Sequence, residues 1–257
     1  MEIKDTNSKV IFSAPGAHTI KECVEEAVRK NVSLKNADLK NTNLKKLIIH
    51  KEYDFSGANL SGAKLREASF ENVNFQEADF SNSDLFRCKI NHCKVEHSTF
   101  TGSSVVAVQM RDCRFVDCDF READLSRSRF EDIEMIAGQF DSTKLTETKF
   151  KNVFLISNAS EETKHLLADE LTRDLAGVVL DFLGLSQFIN SKFYWTKFNG
   201  GKIKAWNLEN CNLCNVFFDT TGFEKTSFTR CQINRIVFTG ENCQKPEFVD
   251  CKIRNCN

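Results

Sequence analysis

The run Phe55-Ser56-Gly57-Ala58-Asn59-Leu60-Ser61-Gly62-Ala63-Lys64-Leu65-Arg66-Glu67-Ala68-Ser69-Phe70 decides the fold of this chain. Its large apolar residues stand five apart, and the beat continues through Phe75, Phe80, Leu85, Ile90, Val95 and Phe100 to Leu155 without a miss. That makes 21 consecutive centres. A helix repeats about every 3.6 residues and a strand about every 2, so neither explains a period of five. Fixed short-period self-similarity marks a solenoid, whose single unit buries too little to fold alone and must stack on its neighbours.

A second inward position lies two residues before each centre. Ala58, Ala63, Ala68, Val73, Ala78, Ser83, Cys88 and Cys93 occupy it, and through Val153 it is small or β-branched and never charged. Asp or Asn often stands just before the centre (Asn59, Asn74, Asp79, Asp84, Asp119, Asp124), and polar residues or Gly follow it, as in Ser61-Gly62 and Ser81-Asn82. This pattern, as in Ala58-Asn-Leu-Ser-Gly62 and Ala37-Asp-Leu-Lys-Asn41, resembles the pentapeptide-repeat family over roughly residues 34–155 and 186–257. The resemblance implies an all-β solenoid, a right-handed quadrilateral β-helix in which five residues form one side of a square and four sides close a coil. Residues 20 apart should then stack. The columns agree: 65, 85, 105, 125 and 145 read Leu, Leu, Val, Leu, Leu, and 60, 80, 100, 120 and 140 read Leu followed by four Phe.

Composition fits such a rod. Of 23 Phe, 18 sit at centres, and two Pro in 257 residues suit a ladder in which each missing N–H would lose a bond. No apolar run is long enough to span a membrane. The opening Met1-Glu2-Ile3-Lys4-Asp5 has no apolar signal segment, so a cytoplasmic location is expected.

Four segments are expected: 1–32, 33–156, 157–185 and 186–257. In the first, Lys9–Ser13 reads as a short strand, and Thr19-Ile20-Lys21-Glu22 as a capping box opening a helix to about Lys30. Ile20, Cys23, Val24, Ala27 and Val28 give it one apolar stripe, which should lid the first coil. This lead-in also resembles those of bacteriophage-encoded pentapeptide-repeat proteins. Spacing lengthens to six between Ile49 and Phe55, which predicts a one-residue bulge near Lys51. The segment 157–185 reads as an inserted amphipathic helix from Ser160 to about Leu183, striped by Leu167, Leu171, Leu175, Val178 and Phe182. It either packs on the rod where the register resets or presents apolar residues to a partner. Beyond it the beat resumes from Phe188, with a loop or distorted corner expected over 240–246.

Chemical machinery is absent from the pattern. Eleven cysteines include Cys88, Cys93, Cys113, Cys118, Cys211, Cys231, Cys251 and Cys256 at the small inward site, where free Cys serves as a small hydrophobe. Stacked rungs do not make a tetrahedral metal site, and Cys211-x-x-Cys214 is a lone pair. His92 and His97 fall on successive outward corners, where solvation is the expected fate. Phosphate loops, zinc-protease motifs and nucleophile elbows are missing, so no enzyme, metal or cofactor is expected.

Function then rests on the surface. The family's best-known activity is mimicry of duplex DNA toward DNA gyrase, which requires a strongly acidic rod. Here 35 basic and 36 acidic residues give a net charge of −1. Charge is uneven: +2 over 33–111, −7 over 112–185 and +4 over 186–257. A local acidic band of Asp112, Asp117, Asp119, Glu122, Asp124, Glu131, Asp132 and Glu134 is the candidate partner-binding site, interleaved with Arg114, Arg121, Arg127 and Arg129. Direct nucleic-acid binding by the basic C-terminal segment is not expected, because its Phe point inward. The favoured reading is a non-enzymatic scaffold binding a host protein, as a phage or bacterial accessory or counter-defence factor. The alternative is a DNA-mimicking modulator of gyrase. A homodimer is expected through the C-terminal coils, using Phe238, Phe248 and Ile253.

Overall fold

The computed structural model describes residues 1–136, 139, 143, 148–151, 154–156, 179–181, 186–189, 192–194, 197–204, 206–224, 226–238 and 246–254. Its main body is a right-handed, four-sided parallel β-helix. The five-residue beat becomes one side per repeat, so each centre sits on the centre 20 residues later, as in Phe70↔Ile90, Met110↔Phe130 and Met135↔Leu155.

Backbone groups are satisfied partly within a coil, where the N–H of the small inward residue closes a turn on the preceding centre's carbonyl (Ala58 to Phe55 at 3.0 Å), and mostly between coils. The N–H of each centre donates to the carbonyl preceding the next centre in its column: Leu60 to Asp79 at 2.7 Å, Phe80 to Thr99 at 2.8 Å, Phe100 to Asp119 at 2.6 Å. The chain turns each corner on the second residue after the centre, which adopts the left-handed conformation. Gly57 and Gly62 do so at φ of +65° and +64°, and Asn82, His92, Ala107 and Asp112 at 57°, 53°, 57° and 50°. That requirement explains why Gly, Asn and other polar residues follow the centres.

The interior is a stack of side chains with no shared layer to slide against. Phe80, Phe100 and Phe120 form one column with ring centroids 4.8 Å apart at both steps and planes within 4° and 7° of parallel. Centroid spacing matches the roughly 4.8 Å between paired strands, so the backbone repeat sets the ring repeat. The small inward site has its own rule. At several of these sites the hydroxyl or thiol donates to the carbonyl of the centre 23 residues earlier: Ser98 to Phe75 at 2.7 Å, Thr143 to Phe120 at 2.7 Å, Cys88 to Leu65 at 2.9 Å and Cys118 to Val95 at 3.0 Å; Ser103 instead donates to Phe100 of its own coil at 2.6 Å. Buried carbonyl and buried donor thereby satisfy one another.

The N-terminal unit closes the first coil. Strand β1 (Glu2–Lys4) pairs antiparallel with β2 (Val10–Ser13), and helix α1 (Ile20–Arg29) follows. Thr19 caps α1 by accepting from the Glu22 N–H at 3.1 Å, while Glu22 accepts from the His18 N–H at 2.7 Å, one residue earlier than a standard capping box. Cys23, Val24 and Ala27 are its buried stripe. The edge of the first coil is covered by hydrogen bonds from the Asp38 N–H to the Lys4 carbonyl at 2.7 Å and from the Thr6 N–H to the Asn36 carbonyl at 3.0 Å. The bulge falls between His50 and Tyr53. Lys51, the inserted residue, reaches back to the Val28 carbonyl at 2.6 Å and Asn31 Oδ1 at 3.1 Å, tying the end of α1 to the rod.

Most of the helix expected over 157–185 lies outside the described residues, as do 240–245 of the distorted corner expected over 240–246. The three described residues of that segment, Val179–Asp181, form a strand paired with Lys197–Asn199 instead of the end of a helix. Leu180 there occupies the column of Phe198, so ladder pairing overrides the amphipathic pattern.

Candidate interaction surfaces

Outward positions in this fold are the residues flanking each centre and the left-handed corners. Because coils stack in register, residues 20 apart on the outside meet as surely as those inside. The acidic band is therefore assembled column by column, and most of it is met by bases. Glu131 lies between Arg111 Nη2 and Lys151 Nζ, each at 2.5 Å. Hydrogen bonds from Lys151 and then Arg111 hold its carboxyl down at a pKa of about 2. Arg114 bridges Glu96 and Glu134 at 3.2 Å each. Asp119 holds Arg121 at 2.6 Å. Asp124 accepts the Ser126 N–H at 3.0 Å in a turn of its own. Asp112, Glu122 and Asp132 are exposed corner residues with φ of 50°, 60° and 56°.

His92 and His97 do point outward, and each stands beside a carboxylate of the next coil. His92 Nδ1 is 3.6 Å from Asp112 Oδ2 and His97 Nδ1 is 3.4 Å from Asp117 Oδ2. The 20-residue spacing of both pairs is written in the sequence, but it emerges only when every outward column is aligned, not His against His.

A different patch has the composition of a binding surface. On one corner, Glu67, Arg87 and Ala107 follow one another up the rod, and beside them run Ile48, Ser69, Lys89 and Gln109 in register. Between the two rows lies a groove of about 610 Å³ floored by Ala68. Ile48 at its end is 61% exposed, the most exposed large hydrophobic among the described residues. Next in the chain to Arg87, which lines the groove, Phe86 is half-buried, with the Arg66 guanidinium 4.5 Å and the Arg87 guanidinium 5.0 Å from its ring centre; Arg66 also pairs with Asp84 at 3.3 Å. Each such contact is worth roughly 0.5–1 kcal/mol at an exposed site and holds the three side chains as one plate.

A larger groove of about 1050 Å³ runs beside the bulge, past Glu52, Tyr53, Asp54, Asn74, His92 and Lys94. Asp54 is already engaged by Ser33 Oγ at 3.2 Å and Asn74 Nδ2 at 3.2 Å. Tyr53 donates its hydroxyl to the Val32 carbonyl. Burial drives the Tyr53 phenol up, beyond any ordinary pH.

The expected self-association residues fall at the far end of the described rod. Phe238 and Phe248 are half-buried, stacked on Phe218 at 5.6 Å and Phe228 at 5.2 Å, whereas Ile253 is 44% exposed. Among the described residues no group of three or more His, Cys, Asp and Glu could hold a metal ion, and no helix is long and apolar enough to cross a membrane.

The family model described as pentapeptide repeats matches residues 54–91 and 113–152 in 8 copies. No curated protein sequence matches at a significant level. Among solved structures, this chain is similar to HetL, described as a pentapeptide repeat protein involved in heterocyst differentiation regulation, from the cyanobacterium Nostoc sp. strain PCC 7120. Identity is 10%, coverage 91% of this chain and 93% of HetL, and the TM-score 0.33. It is similar to Rfr23 of the cyanobacterium Cyanothece 51142 at 10% identity over 51% of this chain and 95% of Rfr23, with TM-score 0.36. It is similar to QnrB1, a plasmid-mediated fluoroquinolone resistance protein, at 12% identity over 85% of this chain and 90% of that one, with TM-score 0.37. The family model's match over 54–91 and 113–152 falls within the stretch where the five-residue beat and the four-sided coil coincide.

Proposed function

We propose that this protein is a non-enzymatic scaffold that binds another protein through the face carrying Ile48, Phe86, Arg66 and Arg87. One observation carries the reading: an exposed aliphatic and an outward aromatic clamped by two guanidiniums beside a groove. Aromatic and Arg side chains around an apolar centre are the residues that dominate protein interfaces. The rigid β-helix holds them in place before binding, so little ordering entropy is lost on association. Arg87 and Lys89 against Glu67 leave the groove's lining net basic, which suits a partner segment with an apolar anchor flanked by carboxylates. A host protein bound by a phage or bacterial accessory factor is the setting we favour.

Crosslinking capture with the wild type, an Ile48→Asp/Phe86→Ala variant and an Asp112→Lys/Asp132→Lys variant tests this. Proteins retained by wild type and the acidic-band variant but lost from the groove variant support the proposal. An identical set from all three refutes it.

A second reading keeps one specific observation. Asp112 and Asp132 rise in one exposed column of corners, and Glu122 stands exposed on another. They could serve as a phosphate-like row for a topoisomerase. In a gyrase supercoiling assay, this reading expects inhibition that weakens steeply with salt and vanishes in Asp112→Lys/Asp132→Lys. The paired state of Glu131, Glu134 and Asp119 favours the scaffold.

A further inference from the structure

We propose that Cys231 and Cys251 form an oxidant-accessible dithiol that closes to a disulfide joining two successive coils. The two residues stack in register, between Thr229↔Val249 and Gln232↔Lys252. Paired strands lie about 4.8 Å apart, inside the roughly 4.4–6.8 Å Cα separation that a disulfide spans. Both sulfurs point down the rod, Cys251 Sγ toward Cys231 and Cys231 Sγ toward the Leu208 carbonyl at 3.3 Å, so the bridge closes when the Cys231 side chain rotates upward. The Cys231 N–H donates to Cys251 Sγ at 3.4 Å, so the upper sulfur hangs over the lower residue. Cys251 Sγ itself turns back toward the Phe228 carbonyl at 3.1 Å.

Access separates this pair from its twin. Cys93 and Cys113 repeat the arrangement, with the Cys93 N–H on Cys113 Sγ at 3.4 Å, but both are buried. Cys231 is buried as well, whereas Cys251 is partly exposed. Geometry is thus shared and solvent contact is not, which gives the molecule an internal control.

The chemistry needs a two-electron oxidant such as a peroxide. The Cys251 thiolate attacks one peroxide oxygen; an S–O bond forms, the O–O bond breaks, and the departing hydroxide takes up a proton as water. Cys251 is left as a sulfenic acid. The Cys231 sulfur then attacks the Cys251 sulfur; the S–S bond forms, the S–O bond breaks, and hydroxide leaves with the Cys231 proton as a second water. Two thiols and one peroxide become one disulfide and two waters. A hydrogen bond from the Cys211 thiol, one coil below, holds the Cys231 pKa below the ordinary thiol value, which suits Cys231 as the resolving nucleophile. Burial pushes the Cys251 thiol up, so its first oxidation is slow and quickens with pH.

Folded full-length protein is exposed to a series of hydrogen peroxide, quenched, alkylated after denaturation, digested and read by mass spectrometry. The expected result is a Cys231–Cys251 linked peptide accumulating while Cys93 and Cys113 stay alkylated thiols. Cys231→Ser removes the resolving thiol at a site where Ser98 and Ser128 show that Ser fits. In it, Cys251 should instead be trapped as sulfenic acid by dimedone. Equal linking of Cys93 to Cys113, bridging of Cys251 to another cysteine or a second chain, over-oxidation of Cys251 without a bridge, or no dimedone adduct in Cys231→Ser would overturn the proposal.

Discussion

Replacing Phe100 with Ala removes the middle ring of a three-ring stack. Its ring lies 4.8 Å from Phe80 below and 4.8 Å from Phe120 above, and it is fully buried. A buried Phe→Ala truncation costs roughly 3–5 kcal/mol, from lost transfer energy and the cavity left behind. Two parallel aromatic contacts are lost as well, each worth about 0.5–1.5 kcal/mol beyond area, so the upper part of that range is expected. The coil cannot collapse to fill the gap, because its backbone is held on both sides by the bonds from Phe80 N–H to Thr99 and from Phe100 N–H to Asp119. For a chain of this size, about 2–4 °C is lost per kcal/mol, which puts the fall in melting temperature at roughly 8–20 °C. Denaturant titration followed by circular dichroism measures the free energy, with the exposed Lys64→Ala as control, expected within about 0.5 kcal/mol. Neighbours in a solenoid share the damage, so hydrogen exchange at the amides of Phe80 and Phe120 should quicken before that at remote coils. A Phe100→Ala protein as stable as Lys64→Ala would refute the register from which every other contact here is drawn.

Corner geometry gives a pair of opposite effects: Ala107→Gly relieves a non-glycine residue at φ +57° and should stabilise by about 0.5–1 kcal/mol. Gly57→Ala, at φ +65° with Asn36 Oδ1 2.1 Å from the new methyl, should cost about 1–2 kcal/mol in the same titration. Among the described residues Ser83 Oγ is the buried side-chain polar atom without a hydrogen-bond partner, so Ser83→Ala should be neutral or stabilising. Ser98→Ala removes one of two bonds to the Phe75 carbonyl, which keeps the Ala78 N–H, and should lose about 0.5–1.5 kcal/mol. The Glu131 carboxyl is held below its ordinary 4.5, at about 2, so it binds its proton less readily folded than unfolded. Its contribution is therefore complete above pH 4.5 and fades as pH falls toward 2. Glu131→Gln should be less stable than wild type at neutral pH and indistinguishable from it near the low end of an acid titration.

The columns of the rod were legible because each unit places one large and one small residue inward, and Phe55 through Leu155 never breaks that rule. The bulge at Lys51 was legible for the same reason, since a six-residue interval in a five-residue beat leaves one residue over. Strand β1 was not: Glu2–Lys4 offers a single inward residue, Ile3, and pairs because β2 and the first coil's edge lie beside it. The candidate surfaces were harder still. Outward positions tolerate anything polar, so no periodicity marks Arg66, Phe86 and Arg87 as neighbours; stacking of coils puts them together. The acidic band was visible as composition, but its charge balance was not, because Arg111, Glu131 and Lys151 meet across 40 residues of sequence.

Ile156 and Val179 both stand in the ladder. Ile156 pairs with Tyr194 and Val179 with Lys197, and those two partners are three residues apart on the following coil. The two strand ends therefore face one corner of the following coil, however many residues lie between them in sequence. A β-helix with that property is a chassis with a socket: foreign sequence placed between 156 and 179 has both ends anchored a turn apart on a rigid frame. A binding loop or reporter domain grafted between those two positions would start and finish at one corner of the frame.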